Sequence, residues 1–271
     1  TPLECTIDER TKRPMKVAKG DVYMKTRSTL ISFCLLVALI SGTMPSFAPF
    51  DVRVPAHTLD HYFSDLFHLG HLANNYISSV LVFLCIQFGT EFISLVLCLA
   101  TGMKTVPVFE NPLFASSTPS NFWGGRWNTL VHGLLKRAVY KPMRLAGQHR
   151  FVAIATTFIV SGLVHEYVWS VMFYVHNHEK DEDGGCSSCF TYATGKVSLF
   201  FIWNGIVIVL EQIFGGSFIF QWLRVVLPST MKTALVILTA LPLAHLFTGD
   251  WTESNYFKHY AIGMPIIVKL S

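Results

Sequence analysis

The chain has 271 residues, of which 51% are hydrophobic, 14% aromatic and 14% charged, whereas a soluble domain carries about 25% charged residues. Together with a mean hydropathy of +0.44, this excludes a soluble globular, disordered, collagenous or coiled-coil protein, and six cysteines are too sparse for a disulfide-stapled miniprotein. The formal net charge of +4, from 21 Lys+Arg against 17 Asp+Glu, is too small and too scattered for a nucleic-acid partner, so the expectation is an all-α polytopic integral membrane protein with membrane lipids as its surroundings.

The chain opens on Thr1 without the charged, apolar and small-residue succession of a cleaved leader, so its start is expected further upstream. Residues 1–28 read as a basic tail, and 29–44 is the first uncharged apolar run, closed by Pro45 and Pro49. That run is short for the roughly 20 helical residues that a hydrocarbon core of about 30 Å requires. Next comes HTLDHYFSDLFHLGH, with His57, His61, His68 and His71. Its apolar residues recur at helical spacing, which predicts an interfacial amphipathic helix. Iron ligation is the sharper alternative, but the compact paired-histidine boxes are missing. The runs 72–101 (with the single acid Glu91), 151–175, 197–214, 231–247 and 256–270 follow, for about six membrane segments plus interfacial helices in a membrane domain of 29–271.

Loop charges orient these segments, because Lys and Arg concentrate on the cytosolic side. Arg10, Lys12, Arg13, Lys16, Lys19, Lys25 and Arg27 precede the first run, and Lys104, Arg126, Lys136, Arg137, Lys141, Arg144 and Arg150 lie between the second and third. Both stretches read as cytosolic, which leaves the acidic loop 177–196 lumenal. That loop carries Cys186 and Cys189, with His176 and His178 nearby. One CxxC without a second pair is a weak zinc motif, so a disulfide or two free thiols is the reading, and no metal site is expected.

Segment 105–150 is too polar to span yet rich in aromatics and glycine. After Pro119, the sequence Asn121-Phe122-Trp123-Gly124-Gly125-Arg126-Trp127-Asn128 leads into the helical pattern Leu130, Leu134, Leu135, Val139, which is expected to stop near Pro142. On pattern alone this is an amphipathic interfacial helix with a tryptophan belt. A different signal lies in the third run, where His165-Glu166 is embedded in TFIVSGLVHEYVWSVMFY. Ionisable groups in hydrocarbon are costly and default to a functional site. From Phe151 to His165 is roughly 21 Å of helix at 1.5 Å per residue, well inside the membrane. Thr157, Ser161, His165 and Trp169 recur every four residues, with Gly162 beside them, giving a small, polar face fit to line a tunnel.

FWGGRWN, followed some forty positions later by VSGLVHEYVWS, resembles the plant-type wax synthase branch of the membrane-bound O-acyltransferases, over roughly 111–172. The resemblance implies that His165 is the catalytic residue and that Asn128, closing the aromatic motif, acts with it; Glu166, Trp123, Arg126 and Trp127 also match. The branch opens its motif with Asp and carries consecutive arginines, where this chain has Asn121 and Gly125-Arg126. It further implies a long-chain-alcohol O-fatty-acyltransferase of the endoplasmic reticulum membrane, using acyl-CoA and a lipid alcohol and no other cofactor.

Elementary chemistry fits that implication. Forming an ester from a thioester needs a base for the hydroxyl proton, which His165 would supply, and a donor for the developing oxyanion, which the Asn128 carboxamide would supply. Ser161, Trp123, Trp127 and Glu166 would support them, and Arg126, Lys136 and Arg137 would hold the CoA phosphates on the basic side. No G-x-S-x-G nucleophile site is present, so transfer is direct. The alternatives are an acetyl- or neutral-lipid acyltransferase of the same superfamily, or a non-catalytic membrane protein or transporter whose His-Glu pair conducts protons or supports packing.

Overall fold

A computed structural model describes residues 5–8, 13–43, 50–55, 62–173, 192–254 and 256. The first helix, α1 (Lys19–Thr43), starts well before the apolar run. Its start is fixed by Asp21, whose carboxylate accepts from the Ala18 N–H at 3.2 Å and pairs with Lys104 at 2.8 Å. At 25 residues the helix is about 37 Å long, so the run that looked too short crosses once its flanking polar turns are included.

The amphipathic helix expected over His57–His71 does not form as such among the described residues. His57 and His61 lie outside them, and Phe63–Phe67 is a single 3-10 turn. His68 instead caps α2 (Leu69–Thr101), its Nδ1 accepting from the Gly70 N–H at 3.2 Å. Helices α1 and α2 pack against each other around Glu91. Its carboxylate accepts from Ser28 at 2.8 Å, Ser32 at 3.0 Å and Gln87 at 3.1 Å, so a carboxylate inside an apolar span is satisfied by polar groups of both helices. Gly102 ends α2 in the left-handed region, with φ of 66°, where a side chain would be strained.

Short helices α3 (Pro112–Ala115) and α4 (Pro119–Asn121) lead to a π-helical turn, Phe122–Arg126. Then come α5 (Thr129–Leu135), a second π turn (Lys136–Tyr140) and α6 (Lys141–Leu145). Pro142 therefore does not stop the helix as expected. It stands in the first turn of α6, after the π turn has shifted the hydrogen-bond register, where its missing N–H costs little. Helices α7 (Arg150–Met172) and α8 (Lys196–Phe214) pack closely against each other. A Cβ on Gly162 would stand 2.9 Å from the Ser198 Cα, and one on Gly205 2.9 Å from the Phe158 Cβ, so small residues set the approach from both sides.

After α9 (Phe218–Val226) the last described span is broken. Helix α10 (Ser229–Ala240) and α11 (His245–Glu253) meet at 64° across a 3-10 turn containing Pro242. The carbonyls freed at the break are met by α2: the Asn75 amide donates to Leu241 O at 2.6 Å, and His71 Nε2 lies 3.2 Å from Pro242 O. Non-helical backbone at membrane depth persists only when buried and satisfied in this way. Among the described residues four helices are long and apolar enough to cross a membrane, or five with the bent pair as one. The sixth expected segment, 256–270, falls almost wholly outside them.

Contacts between distant segments fix which ends share a side. Backbone pairing joins Cys5 to Thr105 and Lys16 to Met103, and the Ser120 N–H donates to Glu211, near the end of α8, at 2.7 Å. At the opposite side Arg53 donates to Thr252 at 2.9 Å. The described parts of the two lysine- and arginine-rich stretches thus lie on one face, as their charge predicts.

Candidate active site

The aromatic motif does not lie flat as an interfacial belt. Thr118 starts it by accepting from the Asn121 N–H at 3.1 Å, and the π turn closes with the Trp127 N–H donating to Phe122 O at 2.8 Å. Asn128 then adopts a left-handed conformation, φ 43°, and its Oδ1 accepts from the Val131 N–H at 3.2 Å, capping α5. This sharp reversal turns Trp123 and Trp127 inward. Trp127 stacks on Phe122 at 5.4 Å, and Trp123 meets Phe158, Phe200 and Phe201 at 5.9–6.1 Å. Arg126 ties the motif together, donating to Asn121 Oδ1 at 2.9 Å and Glu110 O at 2.7 Å. Asn121 thereby supplies the acceptor at the motif's opening position.

Trp123, Trp127, Asn128, Ser161 and His165 line one cavity of about 370 Å³. The imidazole of His165 stacks on Phe201 at 4.3 Å, and its Nδ1 lies 2.7 Å from Ser161 O. A carbonyl only accepts, so Nδ1 carries the proton, and the neutral ring keeps its lone pair on Nε2. The Ser161 backbone thus selects the tautomer. At Asn128 the carbonyl end is used as the cap, which leaves the amide N–H groups for another acceptor.

The other expected site residues divide. Glu166 is adjacent to His165 in sequence but does not line this cavity. Its carboxylate accepts from the Gly195 N–H at 2.6 Å, the Ser198 N–H at 3.0 Å, the Ser198 hydroxyl at 3.2 Å and the Tyr192 hydroxyl, and so caps α8. Burial and this donation push the Tyr192 phenol far above its ordinary range, keeping it protonated. Lys136 lines the cavity, whereas Arg126 and Arg137 do not; Arg126 is occupied within the motif. Exposed Arg150 and partly buried His132 line the cavity beside Lys136, and Arg150 donates to Gln212, which donates to Ser120 at 3.0 Å. Burial and the neighbouring Lys136 charge hold the His132 imidazole below its ordinary value.

Sequence reasoning passed over His132, Arg150, Gln212, Phe201 and Asn204 as site residues. Asn204 had a usable signal, being a carboxamide inside an apolar run. His132 had none beyond its type. Cys186, Cys189, His176 and His178 lie outside the described residues. Among the described residues no group of three or more His, Cys, Asp and Glu side chains is placed to hold a metal ion.

Fold and cavity together define a class: a multi-pass α-helical membrane protein in which a histidine on a long apolar helix faces a chamber whose exposed lining is cationic. Comparison with known proteins narrows it. Residues 105–191 match the family described as Membrane bound O-acyl transferase family. The chain is 34% identical over 121 residues to "Probable long-chain-alcohol O-fatty-acyltransferase 9" of Arabidopsis thaliana, covering 42% of this chain and 30% of that protein. It is 31% identical over 159 residues to "Probable long-chain-alcohol O-fatty-acyltransferase 2" of the same plant, covering 56% and 40%. A third, "Probable long-chain-alcohol O-fatty-acyltransferase 1", is 27% identical over 199 residues, covering 69% and 51%. The similarity to the wax synthase branch read from the two motifs is therefore shown, and the chain spans between about a third and a half of the length of these relatives.

Proposed function

We propose that this chain carries the reaction centre of an O-acyltransferase that esterifies a lipid alcohol with the acyl group of an acyl-CoA, with His165 as general base. The observation that carries the reading is the tautomer: Nδ1–H is committed to Ser161 O at 2.7 Å, so Nε2 is the proton acceptor in a chamber also lined by Asn128. The relatives' names, which specify long-chain-alcohol O-fatty-acyltransferases, support the same reaction.

The alcohol oxygen attacks the thioester carbonyl carbon as its proton passes to Nε2. The resulting oxyanion accepts from the Asn128 amide, a carboxamide donor that adds no charge. Collapse breaks the C–S bond, and the leaving CoA sulfur takes the proton from the imidazolium, which restores the neutral base. The aromatic lining formed by Trp123, Trp127 and Phe201 keeps water from hydrolysing the thioester. Lys136 and Arg150 hold the CoA phosphates at the basic face, read as cytosolic in the endoplasmic reticulum membrane, and no further cofactor is needed.

The test uses microsomes carrying the protein, labelled palmitoyl-CoA and a panel of alcohols, with His165→Ala as control. Ester from at least one alcohol, lost in His165→Ala, is expected. No ester from any alcohol, or equal ester from the variant, sinks the reading.

A further inference from the structure

Taking up a proton gives His165 a positive charge, and no carboxylate is at hand to meet it. Glu166 is committed to the α8 N-terminus, and the described residues that line the chamber include no Asp or Glu; their charged and titratable members besides His165 are Lys136, Arg150, His132 and Tyr140. An imidazolium drawn out of water is costly unless something stabilises it. The Ser161 carbonyl meets Nδ1 at 2.7 Å, and the remaining neighbours are aromatic. Trp169 and Phe247 approach at 5.9 and 6.0 Å with their planes inclined at 58° and 59°, whereas Phe201 lies over the imidazole at 4.3 Å with its plane only 30° off. An aromatic face is the negative part of the ring's quadrupole and attracts a cation within about 6 Å of its centroid.

Packing between α7 and α8 builds this stack. Gly162 and His165 are three residues apart on α7, as are Ser198 and Phe201 on α8, so each pair lies along one helix face. A Cβ on Gly162 would stand 2.9 Å from the Ser198 Cα and 3.4 Å from the Phe201 Cβ, so the missing side chain lets α8 come near enough to lay the ring on the imidazole. Phe201 is 4% exposed and is flanked by Trp123 at 5.9 Å and Phe247 at 5.8 Å. Trp123 in turn donates its indole N–H to Asn204 Oδ1 at 3.1 Å.

We propose that Phe201 is a positioning residue that acts through His165, its ring face stabilising the imidazolium that forms as the alcohol proton moves to Nε2, in the role a carboxylate would otherwise take. This rests on the ester-forming reading above. The ring gives the charged imidazole more than the neutral one, so the contact lowers the barrier to the chemical step and leaves donor binding alone. A desolvated cation over a phenyl face corresponds to about three- to thirtyfold in kcat.

The experiment measures kcat and KM in microsomes carrying the protein, with labelled palmitoyl-CoA and one accepted alcohol, and rates normalised to the amount of protein. Phe201→Leu lowers kcat by about three- to thirtyfold with the donor KM unchanged. Should that variant fail to fold, a second series decides: phenylalanine carrying one, two or three ring fluorines, introduced at position 201 by stop-codon suppression, keeps the shape while withdrawing charge from the ring face. With each added fluorine kcat falls further at unchanged KM and Tm, which a merely structural role would not produce. A flat fluorine series, or one in which KM rises while kcat holds, overturns the proposal while ester formation stands. Absence of His165-dependent ester in the unaltered protein overturns both.

Discussion

Replacing Glu166 by Ala separates two roles that adjacency to His165 conflates. The carboxylate accepts from the Gly195 and Ser198 N–H groups, the Ser198 hydroxyl and the Tyr192 hydroxyl, and the N-cap residue of α8, Gly195, has no side chain to do this. A lost cap costs about 1 kcal/mol. Leaving the partly buried Tyr192 hydroxyl without its acceptor adds about 1–3 kcal/mol, giving a total near 3 kcal/mol. For a chain of this size that lowers Tm by roughly 6–12 °C, measurable by thermal unfolding of the detergent-solubilised protein. If the chain forms esters as proposed, Glu166→Ala assayed well below its Tm retains that ester synthesis per folded molecule. His165→Ala shows the opposite pattern, with an unchanged Tm and ester synthesis reduced by about 10²–10⁴. If Glu166→Ala melts like the unaltered protein and is as inactive as His165→Ala, the carboxylate works in the chemistry and the capping account is wrong.

Three further outcomes follow from the packing. Gly162→Ala pushes a methyl to 2.9 Å from the Ser198 backbone, so α7 and α8 must part, with a destabilisation of about 1–3 kcal/mol readable in Tm; an unchanged Tm contradicts the close approach. Lys196 and Asp250 form an ion pair whose side chains are 6% and 0% exposed. Asp250→Leu alone costs about 3–5 kcal/mol, whereas Lys196→Met with Asp250→Leu costs much less, and a double-mutant cycle with no coupling refutes the pairing. Burial and the neighbouring Lys136 charge hold the folded pKa of His132 below the ordinary 6.5. The unfolded chain binds the proton more readily, and its contribution to stability is present above about pH 6.5 and lost as pH falls toward the folded value. His132→Gln should flatten the decline of Tm in that window; an unaltered slope counts against it.

Composition and periodicity determined the all-α, multi-pass class, because the apolar residues fall in long continuous runs that suit helices satisfying their own backbone in lipid, not in the alternating stretches of about ten residues that a barrel strand would show. They also placed the basic stretches on one face, since charge segregation is written residue by residue, and they marked His165 as an ionisable group in an apolar run that needs a reason. The tertiary structure decided what adjacency and spacing leave open. His165 and Glu166 are neighbours in sequence but project about 100° apart on α7, one into the chamber and the other onto the α8 N-terminus. The expected stop at Pro142 gave way to a π turn, and the apparently short first run gained length from turns whose charges find partners such as Lys104 and Ser94. Asn204 stood out as a carboxamide inside an apolar run, but its role, like those of His132 and Gln212, comes from what another segment brings opposite: Trp123, the cavity shared with Asn128, and Ser120. A sequence pattern records which face of an element is apolar; which partner meets the few polar groups on that face depends on packing between elements, and there the site is built.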